Sequence, residues 1–169
     1  FSSRCAFTRA STMGGRIVDA QGKFNINNLA KADKTLSEPD FALARALCAE
    51  LQIPIAQLEA ISAQLRVRPA LTLADVPAFA AHANIFTALP QRTAINVNTA
   101  PPVLLQLIGG DKTQQIRDER VTRPFQSMAD FAARTGSTPQ VEVSGATNYF
   151  EVEVEAAVGN GRAREWALA

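Results

Sequence analysis

A polar corner that leads into an apolar helix constrains this fold more than any other stretch, and it occupies residues 94–107. Residues 95–98 (Ile-Asn-Val-Asn) alternate apolar and polar side chains, which is typical of a short extended segment. Thr99 is a suitable N-cap, and Pro101-Pro102 fits the first helical turn, where the missing N–H donors would be unpaired anyway. The apolar residues that follow predict a buried helix face. They are Val103, Leu104 and Leu107.

The first half of the chain carries a similar phrase at residues 24–29 (Phe-Asn-Ile-Asn-Asn-Leu). Asparagine side chains can hydrogen-bond nearby backbone and so hold a corner between an extended segment and a helix. We therefore predict structural corners at Asn25, Asn27, Asn96 and Asn98, with Thr99 as part of the second one. Two such corners, each leading into helices, indicate two related helical subunits.

The size and charge of the chain exclude several classes of protein. The 169 residues are 47% hydrophobic and 20% charged, which predicts a globular chain rather than a disordered one. The net charge of +1 gives no overall field that would attract nucleic acid or an anionic membrane. No apolar run approaches the roughly 20 residues of a membrane-spanning helix.

Helical periodicity dominates the middle of the chain. Ser37 predicts the start of one helix, and a second follows Ile53-Pro54, with Ile55 as the first residue of its apolar stripe. Gly109-Gly110 predicts a helix stop, and a short helix capped by Ser127 is expected to bury Met128 and Phe131. We assign residues 30–139 to an inserted, all-helical domain.

The C-terminal stretch changes to strict alternation. Residues 149–156 and 162–168 predict a β-hairpin whose turn is Gly-Asn-Gly at 159–161. One face of its first strand is apolar, and we take Phe150, Val152 and Val154 as a candidate partner interface. A small sheet cannot bury such a face alone, so we infer a helix before Phe1 that this chain lacks, or one supplied by another chain.

The predicted fold class is therefore α+β. A small antiparallel sheet is formed by residues 1–29 and 140–169, and the helical domain is inserted between these two segments.

Catalytic and metal sites find no support in the sequence. His82 is the single histidine, and no nucleophile or carboxylate near it completes a catalytic set. The aspartates are dispersed without the spacing of a calcium loop, so we expect no enzyme, no metal and no cofactor. Cys5 and Cys48 are compatible with a disulfide or with two free thiols, and the sequence leaves both open.

A nucleic-acid-binding module is the alternative. The Asn corner, an apolar helix, a glycine hairpin and a second helix resemble a helix-hairpin-helix unit, whose hairpin amides bind phosphate in DNA-binding members. Here Asp111 follows Gly109-Gly110 and places a negative charge where phosphate would approach. We therefore expect no nucleic-acid binding and favour a packing unit.

Several stretches together resemble the general secretion pathway protein K family of minor pseudopilins in type II secretion systems. They are residues 17–29 (Ile-Val-Asp-Ala-Gln-Gly-Lys-Phe-Asn-Ile-Asn-Asn-Leu), 89–101, 120–131 and the strand that begins with Tyr149-Phe150. The resemblance implies a pseudopilin sheet with an inserted SAM-like or helix-hairpin-helix-like domain. It also implies a periplasmic domain of a bacterial protein that an N-terminal helix, absent here, anchors in the inner membrane.

The resemblance further implies a role in secretion. The partners would be minor pseudopilins I and J and, through them, the major pseudopilin, and the protein would cap and initiate the pseudopilus. The chain departs from the family after the second inserted helix, where a longer carboxylate-rich loop is usual. Here residues 65–69 run almost directly on to Leu73, so the metal ligands of some members have no counterpart.

Overall fold

Helices and a small antiparallel sheet make up this α+β fold, which a computed structural model describes over residues 11–158 and 161–168. The chain divides into two compact units, one formed by Phe1–Val18 with Tyr149–Ala169 and the other by Asp19–Asn148. The helices and strands follow in chain order. They are β1 (Ser11–Asp19), β2 (Phe24–Asn25), α1 (Glu38–Glu50), α2 (Ile55–Val67), α3 (Pro77–Ala80), β3 (Phe86–Thr87), β4 (Ile95–Asn96), α4 (Pro102–Gly109), α5 (Thr113–Thr122), α6 (Met128–Thr135), β5 (Val143–Ser144), β6 (Phe150–Val158) and β7 (Gly161–Leu168).

The smaller unit contains a three-stranded sheet of order β1-β6-β7. Strands β6 and β7 pair antiparallel, with Glu151 opposite Leu168 and Val158 opposite Gly161. The predicted C-terminal hairpin is thus confirmed, while Gly159 and Asn160 of its predicted turn lie outside the described residues.

The larger unit contains two helical hairpins. Helices α1 and α2 form the first, and α4 and α5 form the second, in which a 3₁₀ turn (Gly110–Lys112) joins the helices. A residue with positive φ occurs at each connection: Gln52 has φ 59° and Gly110 has φ 55°. Two further 3₁₀ turns occur in this unit. One has four residues (Ile26–Leu29) and follows β2, and the other has three (Leu73–Asp75).

The core of the larger unit is rich in phenylalanine. Phe24 and Phe86 pack edge to face, 6.1 Å between ring centroids, and Phe79 lies 4.5 Å from Phe86. The prediction that Ile55 and Met128 are buried is wrong, since Ile55 is 44% exposed and Met128 is 37% exposed. Each is the first residue of its helix, and the buried faces begin three residues later at Leu58 and Phe131. Periodicity predicts a face but not where along the helix burial starts.

The predicted start of α4 needs a correction. Thr99 is not its N-cap, because Pro101 occupies that position in an extended conformation (φ −64°, ψ 155°) and the helix begins at Pro102. A proline disfavours helical dihedrals in the residue before it, so the helix cannot include Pro101. Pro102 does lie in the first turn, as predicted.

The observed units divide the chain at other points than the predicted boundaries at 29/30 and 139/140. Two short parallel strand pairs account for the difference. Strand β2 pairs with β3 (Phe24 opposite Phe86), and β4 pairs with β5 (Ile95 opposite Val143). These pairs tie residues 19–29 and 140–148 to the helical unit, which therefore spans Asp19–Asn148.

Candidate functional site

Asn27 is the centre of the first corner. Its side-chain Nδ2 donates to the carbonyl oxygens of Ala70 (2.9 Å) and Leu89 (2.8 Å), and its Oδ1 accepts from the Ala70 N–H (2.9 Å). The residue is 7% exposed, so these bonds satisfy backbone groups that water does not reach. One asparagine thus joins the 3₁₀ turn after β2 to two segments more than 40 positions away.

Asn98 repeats this arrangement at the second corner. Its Nδ2 donates to the carbonyl oxygens of Phe125 (2.9 Å) and Gly145 (2.9 Å), and its Oδ1 accepts from the Phe125 N–H (2.8 Å). The glycine is required there, because a Cβ at position 145 would overlap the Phe125 carbonyl group. The two corners therefore use the same atoms in the same roles.

The first asparagine of each pair also has an equivalent role. The Oδ1 of Asn25 accepts from the Asn27 N–H (3.2 Å), and the Oδ1 of Asn96 accepts from the Asn98 N–H (3.1 Å). Asn25 further bonds the Leu89 N–H (3.0 Å), whereas Asn96 donates to the carboxylate of Asp19 (2.7 Å). All four predicted asparagines thus bond backbone groups.

A second repeated phrase follows each helical hairpin. Arg-Pro-Ala-Leu-Thr-Leu-Ala-Asp at 68–75 matches Arg-Pro-Phe-Gln-Ser-Met-Ala-Asp at 123–130. In both copies the aspartate carboxylate accepts backbone N–H bonds from upstream: Asp75 from Leu71 (2.8 Å) and Thr72 (3.0 Å), and Asp130 from Gln126 (3.0 Å). These N–H donors lower the pKa of each aspartate, with Arg134 adding to the effect at Asp130.

The larger unit is therefore built from two copies of one structural repeat. Each contains an Asn-x-Asn corner, a helical hairpin, the Arg-Pro phrase and a two-residue parallel strand pair. The signal for the Arg-Pro phrase was present in the sequence, but the prediction used only the asparagine phrases. The prediction that the two corners lead into related helical segments agrees with this repeat.

Two arginines, Arg120 and Arg134, support the second copy. Arg134 lies over the Phe125 ring (4.2 Å to the centroid) and pairs with Glu119 and with Asp130 (3.1 Å). Arg120 donates to the carbonyl oxygens of Val97 (3.1 Å) and Ala100 (2.8 Å), and its burial lowers its pKa. These arginines are occupied by internal bonds, so they are poor candidates for binding an external ligand.

Asp19 and Gln21, at the start of the larger unit, are the centre of a hydrogen-bond network. The Asp19 carboxylate accepts from the Gln21 N–H (2.8 Å), the Asn96 amide and the Thr99 hydroxyl. The Gln21 side chain donates to the Ala94 carbonyl (3.2 Å) and accepts from Thr147 and the Asn148 N–H. Residues at both ends of Asp19–Asn148 are thereby bonded to each other. Thr99 is a member of this network rather than a helix cap.

The predicted partner interface lies on β6. Phe150 and Val154 are each 38% exposed, Val152 is half-buried, and Leu168 on β7 is 40% exposed. The glutamates that alternate with these apolar residues on β6 differ in what lies opposite them. Glu155 is opposite Arg164 in the register, but Glu153 is opposite Trp166 and pairs with Arg16 of β1 (3.1 Å).

The two cysteines are the remaining predicted site residues. Cys48 is buried, which raises its pKa to about 11, and has no disulfide within the described residues, while Cys5 lies outside them. No cluster of three or more His, Cys, Asp or Glu side chains in residues 11–158 and 161–168 is arranged to hold a metal ion. None of the helices in that part of the chain combines the length and apolar character needed to cross a bilayer.

Comparison with known proteins finds a similar solved structure but no similar sequence. No protein-family model and no curated protein matches the sequence. The fold is similar to a chain in the crystal structure of the GspK-GspI-GspJ complex from the enterotoxigenic Escherichia coli type 2 secretion system, with a TM-score of 0.65 and 17% sequence identity. The match covers 94% of this chain and 74% of that one. The likeness shows a pseudopilin-like α+β fold.

Proposed function

We propose that this protein is a minor pseudopilin of a type II secretion system. The single observation that carries the proposal is the structural match, which extends over 94% of the chain and so includes both the sheet and the helical unit. The partners would be the minor pseudopilins of types I and J and, through them, the major pseudopilin. The protein would cap and initiate the pseudopilus from the periplasmic side of the inner membrane.

The partner surface that we assign is the exposed apolar part of the sheet. Phe150 and Val154 on β6 leave more than a third of their surface open, and Ile17 on β1 is 70% exposed. Burying such side chains is worth roughly 1.5–3 kcal/mol each, so a partner that covers them gains binding free energy. We further propose that the protein acts by assembly and not by catalysis, and the likeness to a component of a secretion complex supports this.

Deletion of the gene in the bacterium that encodes this protein tests the proposal. We expect loss of type II-dependent secretion and of pseudopilus initiation, with both restored by the gene supplied in trans. A strain that secretes normally without the protein would contradict the proposal.

The helix-hairpin-helix alternative gains no specific support. The Asp111 side chain at the second hairpin is 88% exposed, where a phosphate would have to approach. We expect negligible affinity for double-stranded DNA at physiological salt. Micromolar binding that Lys112→Glu abolishes would favour the alternative instead.

A further inference from the structure

A pocket of about 310 Å³ lies beside the first Asn corner. Four of its lining residues are cationic and none is acidic, although the whole chain has a net charge of only +1. The cations are Lys31, Lys34, Arg66 and Arg92. The rest of the lining is mainly apolar, from residues such as Leu65, Pro69 and Pro90. Its size lies at the lower end of the range for ligand sites in proteins.

The cations differ in how far the protein itself neutralises them. Arg92 is already neutralised within the protein. Its guanidinium donates to the carbonyl oxygens of Asn28 and Ala30 and pairs with the buried carboxylate of Asp40 (2.8 Å). Lys34 and Arg66 form no ion pair with any residue in the described part of the chain. The Asp33 carboxylate, whose pKa is lowered by hydrogen bonds from Thr35 and also by Lys31, partly offsets the charge of Lys31. Lys34 and Arg66 therefore carry the positive charge that internal carboxylates leave available.

The loop that supplies the two lysines is an addition to the structural repeat. In the second copy the chain passes from Ala100 through Pro101 directly into α4. In the first copy residues 30–37 intervene between the corner and α1. The loop is closed by a bridge between Ala30 and Leu36 and by the Lys31 N–H, which donates to the Thr35 carbonyl (2.9 Å). Because the second corner forms without such a loop, the loop is not needed to build the corner.

We propose that this pocket binds an acidic peptide segment of another protein, with carboxylates flanking an apolar side chain. Lys34 and Arg66 would pair with the carboxylates, and the Leu and Pro side chains of the lining would cover the apolar side chain. Charge complementarity selects the acidic partner, since the lining holds no carboxylate. Nucleic acid fits less well, because its backbone needs a groove of successive cations and its bases need aromatic platforms, which this lining lacks.

Fluorescence anisotropy with a fluorescein-labelled Gly-Leu-Glu-Val-Glu-Leu-Gly peptide tests the proposal. The matched probe replaces both Glu by Gln, and labelled single-stranded oligo-dT is the nucleic-acid probe. We expect the Glu peptide to bind the wild-type protein at least about tenfold more tightly than the Gln peptide, with affinity falling as salt rises. No binding of the Glu peptide, equal binding of both peptides, or binding of oligo-dT alone would overturn the proposal.

Three substitutions locate the binding to the pocket. Arg66→Glu and Lys34→Glu change exposed side chains and should each weaken the Glu peptide by about tenfold or more, with an unchanged circular dichroism spectrum. Ala32→Trp should reduce binding by filling the pocket without changing charge. The control is Arg45→Glu, an exposed cation of α1 outside the pocket, which should bind as the wild type does. Equal losses from Arg45→Glu and Arg66→Glu would contradict a specific site.

Discussion

At the scale of single residues, the Asn corners make a graded stability prediction. Asn27→Ala leaves buried backbone groups of Ala70 and Leu89 unpaired and should cost about 3 kcal/mol of unfolding free energy. Asn98→Ala removes equivalent bonds at a half-buried site, where water can replace some, and should cost about 1–2 kcal/mol. Urea unfolding of both variants measures this. Asn84→Ala, at an exposed position, is the control and should leave stability unchanged. If Asn27→Ala also left the free energy of unfolding unchanged, the Asn27 hydrogen bonds would not stabilise the fold.

Asp130 makes a second prediction at this scale, on pH dependence. The Gln126 N–H and then Arg134 lower the pKa of Asp130 in the folded protein below its unfolded value. Its stabilisation is therefore present above the unfolded pKa and is lost as pH falls through the folded pKa. Asp130→Asn should lower the melting temperature at pH 7, and its difference from the wild type should shrink as pH falls below 4. Asp111→Asn, at an exposed carboxylate, is the control. A difference that stays constant down to pH 2 would contradict this assignment.

At the scale of elements, substitutions at two glycines distinguish a steric clash from backbone strain as the cause of lost stability. Gly145→Ala places a Cβ against the Phe125 backbone that Asn98 binds, so it should displace β5 and lower stability severely. Gly110→Ala meets no atom within 4 Å, so its cost of about 1–3 kcal/mol comes from backbone strain, because φ 55° with ψ −125° is a conformation that only glycine adopts readily. Thermal unfolding of the two variants provides the comparison. Similar melting temperatures for both would contradict the close approach at Gly145.

The elements also show how far the sequence could be interpreted. Helices α1 and α2 and the hairpin of β6 and β7 were predictable, since periodicity and the breaks at Pro54 and Gly159 are local signals. The partners of β2 and β4 were not, because a two-residue strand such as Phe86–Thr87 has no periodicity of its own. The asparagines could be predicted as corner residues from their types. Their partners at Ala70, Phe125 and Gly145 depend on contacts that arise only when the two repeats fold.

At the scale of the whole molecule, the central claim is the proposed assembly of this protein with minor pseudopilins. Sedimentation velocity of this protein mixed with the I-type and J-type minor pseudopilins of the same bacterium tests it most directly. We predict a ternary complex that Phe150→Glu with Val154→Arg disrupts, because both substitutions place charge on the exposed apolar part of β6. Val121→Arg, at an 83% exposed apolar position of α5, is the matched control and should leave the complex intact. Separate sedimentation of the folded wild-type protein in the presence of both partners would contradict the claim.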